Sequence, residues 1–89
     1  DMPLKVIYLD DEEDLNFIFQ YEFRKPEIQI LTYTSPQEAI KASHTESPDV
    51  IFLDYRLKGI TGVEVAKEMK PEIPKYLITG EINLGLSPL

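Results

Sequence analysis

The chain has 89 residues and a formal net charge of −7, so it forms at most one small domain (residues 1–89) and is a poor ligand for nucleic acid phosphates. It has no cysteine, which excludes disulfides, zinc–thiolate sites and thiol catalysis and agrees with a cytoplasmic location. No apolar run approaches the roughly 20 residues of a membrane-spanning helix, so we expect no membrane interaction.

The first half of the sequence predicts two strands and two helices. The segment LKVIYL at residues 4–9 is short and apolar, as in a strand buried on both faces. Apolar residues then recur at helical spacing over residues 15–23, and Pro26 would end that helix. IQILTY at residues 28–33 alternates like a second strand, and Ser35 is the predicted N-cap of a second helix.

The second half continues the alternation. DVIFLD at residues 49–54 predicts a third strand, and Thr61 opens a predicted capping box for a short third helix that Pro71 ends. KYLIT at residues 75–79 predicts a fourth strand, and the tail at residues 80–89 is expected to be a loop with at most one weak helical turn. Alternating strands and helices predict an α/β fold, an open parallel sheet with helices on both faces.

Polar residues follow the ends of these strands. Asp10 and Asp11 come after the first, Asp54 ends the third and Thr79 ends the fourth. Ligands of open parallel sheets bind beyond the carboxyl ends of the strands. If the first and third strands are neighbours, three carboxylates converge beside a hydroxyl.

Such convergence is costly. Two carboxylates about 5 Å apart repel by roughly 3 kcal/mol at an effective dielectric of about 20. The cluster must therefore protonate, splay apart or bind a cation. A site in which a few carboxylates bind the ion and the remaining ligands are water and phosphate oxygens suits Mg²⁺ better than Ca²⁺.

These residues resemble the receiver domains of response regulators in two-component signalling. The resemblance rests on Asp10–Asp11 after a buried strand, on FLDYRLKGITG with Asp54 and a glycine eight residues later, and on LITG with Thr79. It spans about residues 4–80. It implies a flavodoxin-like (βα)5 receiver fold with sheet order 2-1-3-4-5, in which the first and third strands are neighbours.

The resemblance also implies residue roles. Asp54 would be the phosphoacceptor, Asp11 would bind Mg²⁺ directly, and Asp10 would bind it directly or through water. The backbone carbonyl of Arg56 would complete the metal site, and the Thr79 hydroxyl would turn toward the phosphoryl group. The donor would be a histidine kinase, a phosphotransfer protein or a small acyl phosphate.

The sequence departs from the family pattern in ways that affect the expectations. The family's lysine at the end of a fifth strand has no counterpart, because Lys58 and Lys75 lie elsewhere in the sequence and the chain stops at Leu89. We therefore expect a receiver fold lacking the fifth strand and helix, with residues 75–79 as an exposed sheet edge. A homodimer, a strand-exchanged dimer or a longer native protein would cover it. Lys58 also replaces a common proline, which predicts a looser loop after Asp54.

Other interpretations remain open. The acids at residues 10–14 could do no more than stabilise the N-terminus of the first helix. Asp54 could be a strand-end acid without a function, and Thr79 could be an ordinary strand residue. A degenerate receiver could act as an interaction module without phosphorylation. An aspartyl-phosphate phosphatase is disfavoured because LDDEED lacks the Asp-x-Asp nucleophile motif, so we expect no enzyme activity. The aromatic residues of the first helix are expected to form its core and flank; they are Phe17, Phe19, Tyr21 and Phe23.

Overall fold

The computed structural model describes residues 3–79 and the backbone of residues 85–88. The elements in chain order are β1 (Leu4–Leu9), α1 (Glu13–Phe23), β2 (Ile28–Tyr33), α2 (Pro36–Thr45), β3 (Val50–Asp54), β4 (Arg56–Leu57), β5 (Ile60–Thr61), α3 (Gly62–Glu68), β6 (Lys75–Thr79) and β7 (Gly85–Pro88). The four predicted strands and three predicted helices are confirmed. The main sheet has the order β2-β1-β3-β6-β7, and its first four strands are parallel.

The tail differs from the prediction. Residues 85–88 form strand β7, which pairs antiparallel with β6 in a register that joins Thr79 to Gly85. The predicted loop is therefore wrong for these residues, as is the predicted open edge at β6; residues 80–84 and 89 lie outside the described part. An apolar strand with a free row of N–H and C=O groups is a template for any segment that can reach it. Pro88 is compatible with an edge strand, where one missing N–H is tolerated.

One face of the sheet is closed by α2 and α3. Alternate residues of the strands point to this face and meet apolar residues of both helices. The fully buried side chains of this core include Ile7, Leu9, Ile51, Leu53 and Val65.

The other face is covered by α1 alone within the described residues. Phe19 lies half-buried against the sheet, and its ring stacks on that of Tyr8 with centroids 4.0 Å apart. Phe17, Tyr21 and Phe23 are exposed, so of the four aromatic residues Phe19 packs on the sheet and the other three lie on the flank of the helix. An apolar groove of about 500 Å³ opens on this face, lined by Leu4, Val6, Phe19, Phe23, Ile28, Ile30, Val50, Phe52 and Ile78. Within residues 3–79 no helix has the length and apolar character needed to cross a membrane.

Candidate metal centre

The topology brings the predicted acids together. Asp10 and Asp11 follow β1, Asp54 ends β3, and the two strands are neighbours with Leu9 opposite Leu53. One carboxylate oxygen from each of the three acids lies within 4.8 Å of the other two. The acids have therefore not splayed apart, and their mutual repulsion must be met by hydrogen bonds, protons or a cation.

Asp10 is the most buried member of the cluster, with 2 % of its surface exposed. The Tyr8 hydroxyl donates to its Oδ2 at 2.9 Å, and the backbone N–H of Glu12 donates to its Oδ1 at 3.0 Å. Burial raises the pKa of Asp10 above its ordinary value, although these two hydrogen bonds oppose the shift. The backbone after Asp10 is held by Asn16 Nδ2, which donates to the Asp10 carbonyl oxygen at 2.7 Å.

Asp11 is joined to the loop that follows β3. The backbone N–H of Lys58 donates to Asp11 Oδ2 at 2.9 Å. The loop itself is a short hairpin in which β4 pairs with β5 and Gly59 adopts a φ of 77°. Lysine at position 58 retains an N–H that proline would lack, and this N–H is the donor to Asp11. The looser loop stays a prediction.

Asp54 is half-buried at the end of β3. Burial raises its pKa first and the negative charge of Asp10 raises it further, while hydrogen bonds from the backbone N–H groups of Arg56 and Tyr55 act in the opposite direction. Gly62 packs directly against this strand end. A Cβ there would collide with the Asp54 carbonyl oxygen and lie 2.7 Å from Leu77 Cδ2, which explains a glycine eight residues after the acid.

Thr79 and Arg56 lie at the same edge as the acids. Thr79 ends β6, one residue beyond Ile78, which is paired with Asp54. Arg56 opens β4 two residues after Asp54, and its side chain is exposed.

Among the described residues, neither of the two lysines excluded by the sequence forms a side-chain hydrogen bond or ion pair with the acids of the cluster. Lys75 begins β6 at the opposite end from Thr79, and its Nζ donates to the carbonyls of Lys70 and Ile73, both at 2.8 Å. Burial lowers the pKa of Lys75. Lys58 reaches the cluster through its backbone, and its side chain is exposed.

Tyr8 and Asn16 both support Asp10, and neither was predicted from the sequence to have a role. A usable signal existed for Tyr8, because residues two apart on a strand share a face. No comparable signal marks Asn16, which is the buried residue of α1, a helix with apolar side chains around much of its circumference. Its Oδ1 is buried and has no hydrogen-bond partner among the described residues.

Comparisons with known proteins show the family and the fold. The sequence model of the response regulator receiver domain matches residues 6–84. The chain belongs to this family. The receiver domain is 34% identical over 71 residues to the alkaline phosphatase synthesis transcriptional regulatory protein PhoP of Bacillus subtilis, an alignment that covers 80% of this chain and 30% of that protein.

Solved structures match the fold of this receiver domain. A response regulator receiver domain protein from Clostridium thermocellum is 21% identical, with a TM-score of 0.76 over 90% of this chain and 68% of the other. A two-component response regulator of the LuxR family from Aurantimonas sp. SI85-9A1 is 17% identical, with a TM-score of 0.75 over 86% and 59% of the two chains. At these identities the structures support the fold.

Proposed function

We propose that this receiver domain accepts a phosphoryl group on Asp54 in the presence of Mg²⁺ and acts as a conformational or oligomerisation switch in two-component signalling. The observation that carries the proposal is the convergence of Asp10, Asp11 and Asp54 within 4.8 Å at the carboxyl edge of the sheet. The donor would be a histidine kinase, a phosphotransfer protein or a small acyl phosphate, and the domain would be a substrate and switch rather than an enzyme.

The residues present fit Mg²⁺. Their oxygens are hard ligands, and a cluster of three carboxylates with raised pKa values at Asp10 and Asp54 gains from a divalent cation. Asp10, Asp11 and Asp54 would hold the ion together with the backbone carbonyl of Arg56. The ion would supply positive charge that offsets the charge of the incoming phosphoryl group.

Two side chains of the protein would take part in the transfer. A carboxylate oxygen of Asp54 attacks phosphorus, a new P–O bond forms an acyl phosphate, and the bond from phosphorus to the donor breaks with its electron pair leaving on the donor. Asp54 needs to be ionised for this attack. Thr79, at the end of the adjacent strand, would donate its hydroxyl to a phosphoryl oxygen and so couple β6 to the modified state.

The direct test is incubation of the protein with acetyl phosphate and Mg²⁺, followed by intact mass. The wild type should gain the mass of one phosphoryl group, lose it in hydroxylamine, and gain none in EDTA. Asp54→Asn should gain none, whereas Asp14→Asn, an exposed acid of α1, should behave as wild type. A wild type that never gains the mass, or an unchanged gain in Asp54→Asn, would refute the proposal.

A second function is favoured by the open apolar groove beneath α1. A degenerate receiver could use this face as a dimerisation module independent of phosphorylation. Light scattering should then report the same dimer with EDTA, with Mg²⁺ and in Asp54→Asn. A strictly monomeric protein that accepts a phosphoryl group would exclude this second function. In a strand-exchanged dimer, β6 would pair with a strand of the second chain. Because β7 pairs with β6 of its own chain, β7 would first have to separate from β6.

A further inference from the structure

Tyr8 is held at both ends of its side chain. It is the penultimate residue of β1 and 5 % exposed. Its ring stacks on Phe19 of α1 with centroids 4.0 Å apart and an angle of 4° between the planes. Its hydroxyl donates to Asp10 Oδ2 at 2.9 Å, so the ring has little freedom to turn away from the acid.

The bond from Tyr8 completes the support of the Asp10 carboxylate. Oδ1 accepts from the backbone N–H of Glu12 and Oδ2 from the Tyr8 hydroxyl, so rotation of the carboxylate breaks at least one hydrogen bond. The donors come from two sides, one from the strand before the acid and one from the loop after it. This arrangement fixes an acidic side chain without a lysine or arginine.

We propose that Tyr8 is a positioning residue for the cation site. Its hydroxyl holds the Asp10 carboxylate in the orientation that meets the ion, and its stack on Phe19 ties that orientation to the packing of α1. The proposal rests on the Mg²⁺ binding proposed above. Ligating carboxylates are commonly held by outer hydrogen bonds, and removal of such a partner costs roughly 10–100-fold in metal affinity.

A purely structural role for the hydroxyl is the competing explanation. In that case the bond only satisfies a buried phenol, and its removal would change the stability of the fold without changing the binding of the ion. The two roles separate if the metal affinity and the stability of the metal-free protein are measured on the same variants.

The decisive variant is Tyr8→Phe, which keeps the ring on Phe19 and deletes the hydroxyl. Calorimetric titration with MgCl₂ at fixed pH and ionic strength should give a Kd about tenfold weaker than that of the wild type. Tyr76→Phe is the matched control, because Tyr76 stacks on Phe52 of the same sheet and its hydroxyl bonds none of the acids in the described residues. Its Kd should equal that of the wild type.

The outcomes are distinct. A Tyr8→Phe Kd within twofold of wild type, or an equal loss in Tyr76→Phe, overturns the assignment while leaving the proposed function intact. A wild type that binds no Mg²⁺ refutes both the assignment of Tyr8 and the proposed function. If Tyr8→Phe does not fold, Phe19→Leu provides the second variant: it keeps the hydroxyl and loosens the stack, so the Kd should weaken by a smaller factor, and an unchanged Kd refutes the link to α1.

Discussion

The two faces of the sheet differ in how completely helices cover them. Toward α2 and α3, side chains such as Leu9 and Leu53 are fully buried. Toward α1, Phe52 is only half-buried and an apolar groove of about 500 Å³ remains. The open face is also the face of Tyr8, which reaches the acidic cluster. Stability is therefore expected to come mainly from the closed face, and coupling between the site and a partner from the open one.

The largest difference in stability between the two faces is expected from two leucines of the same strand. Leu9→Ala empties a fully buried position on the closed face and should lower the free energy of unfolding by about 2–5 kcal/mol. Leu4, on the open face, is 47 % exposed, and Leu4→Ala should cost less than about 1 kcal/mol. Urea unfolding followed by circular dichroism gives both values. Similar losses would mean that the open face is closed in solution, for example by a second chain.

A second pair adds one methylene to each face. Val65→Ile enlarges a fully buried side chain of α3 and should destabilise by about 1–3 kcal/mol, since a closed core resists extra volume. Val50→Ile adds its methylene on the side of the groove, and its free energy of unfolding should stay within about 0.5 kcal/mol of that of the wild type. The chemistry is the same in both variants, so a difference between them measures packing. Equal losses would contradict a free groove.

The features that follow from local sequence pattern could be predicted. The strands were marked by short apolar runs, and the meeting of Asp10, Asp11 and Asp54 needed one further condition, that β1 and β3 are neighbours. That condition came from the family resemblance. The glycine at position 62 was recognised by its spacing, and the structure adds its reason, close contact with the Asp54 carbonyl.

The features that were missed depend on contacts between distant segments. Strand β7 arises from pairing with β6, and a tail with glycine and proline carries no strand pattern of its own. Helix α1 has apolar residues around much of its circumference, so spacing could not tell that Phe19 faces the sheet while Phe17, 67 % exposed, faces away. The bond from Lys58 to Asp11 uses a backbone N–H, which every residue except proline possesses.

The smallest expected effect concerns the acidic edge and its pH dependence without metal. Burial and the charge of Asp10 raise the pKa of Asp54 above its ordinary value of 3.8. An acid with a higher pKa in the folded state binds protons more tightly when folded, so its protonation stabilises the fold at low pH, and this contribution is lost as pH rises through the folded pKa. In EDTA, the stability of wild type should therefore fall relative to Asp54→Asn as pH rises from about 4 toward neutrality.

Urea unfolding of both proteins across this range measures the difference directly. If the proposed site binds Mg²⁺, the ion should reverse the trend, because it would bind the ionised acids and so stabilise the folded state of the wild type. The Tyr8→Phe variant should show a weaker reversal at the same Mg²⁺ concentration, since its Asp10 is less well held. A difference between wild type and Asp54→Asn that is independent of pH would mean that neither burial nor the charge of Asp10 raises the pKa of Asp54 in the folded state.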